Sequence, residues 1–194
     1  MKLFLRCVAF APLLALAASC CANNPLNCND LQADSLYLIL NSNPADSHSF
    51  SAAELDTVYL RRYSPTDSTT LSDPVTIVRA QQQQTNSSLL ATLKSANLDP
   101  STTLVISNNE PFPPSITGGK LNAYNYLLTV HDNAQGAPTY QFKINSIQLK
   151  GDYVADACST CYKNTYKRFR VNGGPYQDVT ESGGLPVAVT LSKP

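Results

Sequence analysis

Residues 124–149 read YNYLLTVHDNAQGAPTYQFKINSIQL, and this stretch decides the fold. Tyr124, Tyr126, Leu128 and Val130 recur at every second position, which in an extended chain puts all four side chains on one face. The residues HDNAQGAP at 131–138 then supply turn chemistry, and Tyr140, Phe142 and Ile144 resume the period of two. The reading is a β-hairpin whose aromatic and aliphatic faces share one core. After Ile144 the apolar phase slips to Ile147 and Leu149. One extra residue across Asn145-Ser146 is what a β-bulge inserts, so a bulge or sharp bend is expected there.

Working outward, the same period appears at Leu36, Leu38 and Leu40, at Val58 and Leu60, at Val75 and Ile77, at Leu104 and Ile106, and at Val187, Val189 and Leu191. A further strand over Tyr166 to Val171 ends at Asn172-Gly173-Gly174, where glycine supplies positive φ. The intervening SNPADS, SPTDST and NNEPFPPS are turn clusters. Helix is scarce: one turn over Ser51 to Leu55 capped by Ser51, and a short helix within Asn86 to Leu98 through Leu89, Leu90 and Leu93. The Gln81 to Gln84 run reads as a loop or helix lead-in. The expected fold is all-β: a single antiparallel β-sandwich, immunoglobulin-like or related, of about seven or eight strands, with a small barrel as the competing closure of similar strands.

The first residues carry a different message. Lys2 and Arg6 form a positive n-region before the apolar CVAFAPLLALAAS of residues 7–19, the layout of a secretory signal peptide and too short for a comfortable spanning helix. Small residues Ala17, Ala18 and Ser19 precede Cys20. This pattern resembles the bacterial lipobox, with Ala17 where leucine usually stands and Leu16 one place earlier. The resemblance implies acylation of Cys20, with Cys21 as the alternative, and hence a membrane partner through an N-terminal lipid such as palmitate. The whole chain is similar in style to short lipoproteins of Bacteroidota, which have a Leu/Ala-rich signal ending in cysteine and an Asn/Ser/Thr-rich β domain. That implies the cell envelope, and the outer membrane in particular because no Asp follows Cys20; the leaflet stays open. The expected organisation is a signal peptide at 1–19, a lipidated flexible tether at 20–34 and the β-sandwich domain at 35–194.

Without residues 1–19, 175 residues remain, enough for one domain with a core. Their 12 basic and 14 acidic groups give no concentrated positive field, so no nucleic-acid partner is expected. Six cysteines stand at 7, 20, 21, 28, 158 and 161. In an oxidising compartment Cys21, Cys28, Cys158 and Cys161 are disulfide candidates with three possible pairings. Cys158-Ser159-Thr160-Cys161 also admits a redox or metal role.

No nucleophile elbow, zinc-protease motif, phosphate loop or calcium loop occurs, so no catalytic residue, metal or cofactor is assigned. His48 and His131 read as loop or surface residues, and Asp152 with Asp156 as a solvated pair. Lys163, Lys167, Arg168 and Arg170, beside Tyr162 and Tyr166, form a basic cluster that could meet anionic headgroups or acidic glycans. The plainer reading is an exposed strand face that blocks edge pairing. Tyr124, Tyr126 and Tyr140 supply core bulk. The expectation is a non-enzymatic binding or structural module of the envelope whose partner is an envelope protein or glycan, with thiol-redox or metal chemistry at Cys158 and Cys161 as the alternative.

Overall fold

The computed structural model describes residues 33–72, 74–78, 87–112, 120–131, 139–156, 159–181 and 185–194. The signal segment, Cys20, Cys21, Cys28, Cys158, Gln81 to Gln84 and the 132–138 connection lie outside them. The chain forms mostly strands, arranged as two sheets. In order these are β1 (Leu36–Leu40), helix α1 (Ala52–Asp56), β2 (Thr57–Ser64), β3 (Asp67–Leu71), β4 (Val75–Val78), helix α2 (Ser87–Ser95) and β5 (Thr103–Ile106). A 3-10 turn (Leu121–Ala123), β6 (Asn125–His131), β7 (Thr139–Asp156), β8 (Ser159–Val171), β9 (Tyr176–Asp178) and β10 (Ala188–Leu191) follow.

The hairpin expected over 124–149 forms as β6 and β7, with Tyr126 opposite Ile144, Leu128 opposite Phe142 and Val130 opposite Tyr140. The slip after Ile144 is a break in register between Asn145 and Gln148 where β7 meets β8, with Ser146 at φ 54°. A second break, between Lys150 and Gly151, leaves Thr165 of β8 as the extra residue. These strands lie at the centre of a seven-stranded sheet ordered β3-β2-β6-β7-β8-β9, with β4 also pairing with β2. The other sheet is ordered β10-β1-β5.

One core lies between the sheets. Leu36, Leu38, Leu40, Leu104, Ile106 and Leu191 of the smaller sheet pack with Val58, Leu60, Leu128, Phe142, Ile144 and Phe169 of the larger one. The smaller sheet is covered on its other face too, where Tyr37 and Val105 meet Leu89 and Leu93 of α2. That explains why β1 reads as the unbroken apolar run LYLIL: a strand buried on both faces has no polar side to alternate.

Several expectations are corrected. The arrangement is not wholly antiparallel, because β1 and β10 pair in parallel, Tyr37 beside Ala188 and Leu40 beside Leu191. The last strand starts at Ala188 and not Leu185; Leu185 and Val187 remain exposed. The turn read into SPTDST shrinks to residues 65–66, and Asp67 onward pairs back on β2 as β3. No disulfide joins two of the described residues, Cys161 being the sole cysteine among them, although its sulfur is itself taken up in a disulfide. Ladders and a shared core hold the described strands together instead. The last residues of the expected tether, Ala33 and Asp34, are buried parts of the fold.

Helix α1 forms as its sequence directs. Ser51 Oγ accepts from the Glu54 N–H, while the Glu54 carboxylate accepts from the Ser51 N–H at 2.7 Å, a reciprocal capping box. Glu54 also takes the Lys193 ammonium at 2.8 Å, which fastens the C-terminal segment. Beside it, the Lys193 N–H donates to the His48 carbonyl at 2.8 Å, and the ammonium lies 5.2 Å from the Tyr140 ring centre.

Burial pushes the Glu54 carboxyl up, but the Lys193 and Ser51 bonds outweigh it and hold the group below its ordinary value. A carboxyl with a lowered folded pKa contributes stability above its unfolded pKa and loses it as pH falls through the folded one. Glu54→Gln is therefore expected to lower stability by about 1 kcal/mol at pH 6 and by much less at pH 3, read from urea unfolding midpoints. An equal loss at both pH values would show that the charge of Glu54 is irrelevant.

Candidate binding face

The basic cluster of the sequence is carried by β8, and strand alternation divides it. Lys167 and Phe169 point into the molecule and are 1% and 0% exposed. Tyr166, Arg168 and Arg170 point outward, where they are half-buried. Lys163 is exposed further along the strand. The reading that this cluster guards a sheet edge does not hold for Arg168 and Arg170, where β9 pairs with β8, while Lys163 stands on the part of β8 that β9 does not reach.

On the inner side, the Lys167 ammonium donates to the carbonyls of Ala33 and Ser35, each at 3.0 Å, and to Glu181 Oε1 at 2.8 Å. All three of its N–H donors are used, which a buried ammonium requires. Asn164 on the same strand reaches the Ala33 carbonyl and Asp34 Oδ1, and Asp34 Oδ2 accepts from Asn108. Burial raises the Tyr37 phenol far above its usual range, and the Glu181 charge adds to the effect. Burial likewise raises Tyr162, with the Asp34 carboxylate nearby. The Tyr162 ring crosses Gly151: a Cβ there would overlap the ring and come within 2.9 Å of the Lys163 carbonyl. With every donor of Lys167 satisfied and no opening to solvent at its ammonium, this cluster holds the fold together.

On the outer side, three strands contribute to one face. Gln148 of β7 stands opposite Arg168, which stands opposite Asp178 of β9; Arg170 stands opposite Tyr176. The turn that places β9 has both Asn172 and Gly173 at positive φ, 52° and 72°, as the Asn-Gly-Gly signal requires. Both guanidiniums lie 4.2 Å from the Tyr176 ring centre, and that of Arg168 lies 4.8 Å from Tyr166. Gln148 ties the set together: its Oε1 accepts from Arg168 Nε at 2.8 Å and from the Tyr166 hydroxyl at 3.2 Å, and its Nε2 donates to the Tyr176 hydroxyl at 3.0 Å.

Asp178 at the margin is held below the usual carboxylate range by the Thr180 hydroxyl and N–H and by the Arg168 charge, so it stays ionised beside Arg168. Among the described residues no carboxylate lies within ion-pair distance of either arginine. The buried Nε of Arg170 has no hydrogen-bond partner there.

The other residues singled out in the sequence lie elsewhere. His48 is exposed, with Nδ1 2.9 Å from the Lys193 carbonyl, and His131 stacks on Tyr59 at 5.1 Å. Asp152 is exposed opposite Lys163, and Tyr126 is in the core with its hydroxyl on the Leu121 carbonyl. Among the described residues no three His, Cys, Asp or Glu side chains group as a metal site, and no helix is long and apolar enough to cross a membrane. Gln148, Tyr176 and Asp178 escaped the sequence reading. The one available signal was Tyr176, two residues past the Asn-Gly-Gly turn and so placed to return beside Arg170. No family model, curated protein or solved structure matches the chain.

The division of β8 makes a direct prediction. Lys167→Met leaves two carbonyls and Glu181 without their donor and is expected to cost about 3 kcal/mol in urea unfolding. A loss below about 1 kcal/mol would mean that Lys167 is not the clamp described.

Proposed function

We propose that this chain is a lipid-anchored envelope protein whose β domain binds acidic glycans through the face formed by Gln148, Tyr166, Arg168, Arg170 and Tyr176. The observation that carries the reading is the stacking of both guanidiniums against Tyr176, braced by Gln148. The rings hold both guanidiniums in place; with Nε of Arg168 on Gln148 and Nε of Arg170 buried, their terminal amino groups are the donors left for a ligand. A planar fork of donors suits carboxylates, which it grips in pairs of parallel hydrogen bonds. Two such forks two residues apart on one strand, about 7 Å, fit successive acidic groups along a polymer. A near-neutral chain lacks the broad field that nucleic-acid backbone binding requires, so a local carboxylate site is the better match. The attachment follows from the lipobox-like Ala17-Ala18-Ser19-Cys20 and carries the acyl group on Cys20, in the outer membrane. The two sheets around one core support a sandwich related to the immunoglobulin kind, departing from it in the parallel β1–β10 pair and the three-against-seven division of strands. The thiol alternative has less support, because Cys161 is held in a disulfide and presents no free thiol.

Binding of the exported protein to polygalacturonate, with neutral dextran as control, tests the glycan reading. Selective binding to polygalacturonate is expected, weakened about tenfold or more by Arg170→Ala and by Arg168→Lys, which keeps the charge but loses the fork. Equal affinity for both polymers, or unchanged binding by both variants, would overturn it. Intact-mass measurement on the same protein decides the anchor: a diacyl or triacyl increment on the N-terminal cysteine is expected, and an unmodified terminus would remove it.

A further inference from the structure

Four large apolar side chains stand well exposed among the described residues: Tyr153 at 72%, Leu185 at 47%, Val154 at 41% and Val187 at 38%. They gather at one pole of the molecule. Tyr153 and Val154 lie on β7 opposite Tyr162 and Cys161 of β8, in the part of that hairpin that runs past β6 and β9, whose pairings reach only residues 139–144 and 168–170. Asn164 and Lys167, at the base of this projecting ribbon, hold Ala33 and Ser35. Because β10 runs parallel to β1 with Ala188 beside Tyr37, Leu185 and Val187 come just before the strand at that same pole. The opposite pole carries the capped helix and the Lys193 to Glu54 pair.

We infer that this pole docks on the lipid bilayer surface, with Tyr153 and Val154 of the projecting ribbon seated at the boundary between headgroups and acyl chains. Two observations choose a membrane over other occupants. The first is where the outer chain is attached: residue 33 is fixed at this pole, and the 12 residues between Cys20 and Ala33 span at most about 45 Å when fully extended. The second is chemical. Tyrosine with an adjacent aliphatic residue, beside the exposed Lys163, is the composition that settles at a membrane interface, the ring in the headgroup layer and the ammonium toward anionic phosphates. The distance argument rests on the anchored reading above; the composition argument does not.

The test uses the exported protein with vesicles of phosphatidylethanolamine and phosphatidylglycerol at a ratio of about 3:1. Hydrogen exchange is expected to slow several-fold at residues 151–156 and 160–163 when vesicles are added and to stay unchanged at 166–178, which separates this contact from the glycan face. A full-length Cys20→Ser, Cys21→Ser form that keeps its signal segment is compared with the same form carrying Tyr153→Ser and Val154→Ser; the double change is expected to weaken vesicle partitioning about tenfold. Both changes are at exposed positions, and an unchanged unfolding midpoint confirms that the variant is folded. Unaltered exchange at 151–156 with vesicles present overturns the proposal even where mass spectrometry finds the lipid. Protection that appears with rising protein concentration and no vesicles overturns it in favour of a second copy of the chain. Absence of the lipid with vesicle protection retained would leave the docking pole standing and remove only the anchor.

Discussion

The buried ammonium of Lys167 is the constraint on which the arrangement depends. A cation at 1% exposure is tolerable only where every donor finds an acceptor, and its three acceptors come from separate parts of the chain. Ala33 and Ser35 precede β1, and Glu181 follows β9. The ammonium therefore fixes where β1 starts relative to β8. Because β1 is the central strand of the smaller sheet, with β10 on one side and β5 on the other, fixing β1 fixes that sheet over the larger one. The apolar core supplies the bulk of the stabilisation, but it is non-directional. The polar clamp selects one offset between the sheets from the several that a leucine-rich interface would accept.

The same strand carries the outer face, and the period of two is what makes this economical. Lys167 and Phe169 point inward, and locking them leaves Tyr166, Arg168 and Arg170 with no freedom to change face. Neighbouring strands then supply Gln148 from one side and Tyr176 from the other, already in register. Long arginine side chains lose considerable rotamer entropy when they bind. Stacking on tyrosine and bonding to Gln148 restrict those rotamers beforehand, so the ligand proposed above would meet donors already oriented. The face is consequently a property of the sheet and not of a loop, and its geometry follows from the ladder that stabilises the domain.

What was legible in the sequence follows the same division between local and long-range physics. The hairpin over 124–149, its bulge at Asn145-Ser146, the Ser51 cap and the turn at Asn172-Gly173 depend on neighbouring residues only, and each formed as expected. Proximity along the chain groups Lys163, Lys167, Arg168 and Arg170 into one basic cluster, but neighbours in a strand belong to opposite faces. The extra residue at Thr165 that turns Asn164 and Lys167 to the same side has no signature in composition. The alternation of Leu36, Leu38 and Leu40 announces one buried face, and nothing local announces that α2 covers the second. The parallel β1–β10 pair joins residues some 150 positions apart, and no periodicity encodes a partner. Cysteine count announces a staple, and Cys161 is disulfide-bonded, but it cannot say which strands need one: no two described strands are joined that way, because a chain of this length buries a two-sided core.

For the proposed glycan face, the placement of charge sets the kind of recognition it would perform. Charged residues make up 14% of the chain, with equal numbers of each sign. Lys167 is matched to Glu181 and Lys193 to Glu54, while the Arg62 guanidinium lies between Phe112 and Tyr124, 4.9 and 4.6 Å from their ring centres. Little long-range field remains to steer a ligand, so association gains no large electrostatic acceleration. Selectivity then comes at contact distance, where a fork of N–H donors backed by an aromatic ring distinguishes a planar carboxylate from a hydroxyl. Asp178, ionised beside Arg168, sharpens this further: it partly offsets the charge of that arginine and repels an anion placed on its side. On the proposed reading Arg170, farther from Asp178, would carry the stronger of the two attractions, and an anionic ligand would favour the end of the sheet nearest the Asn172-Gly173 turn.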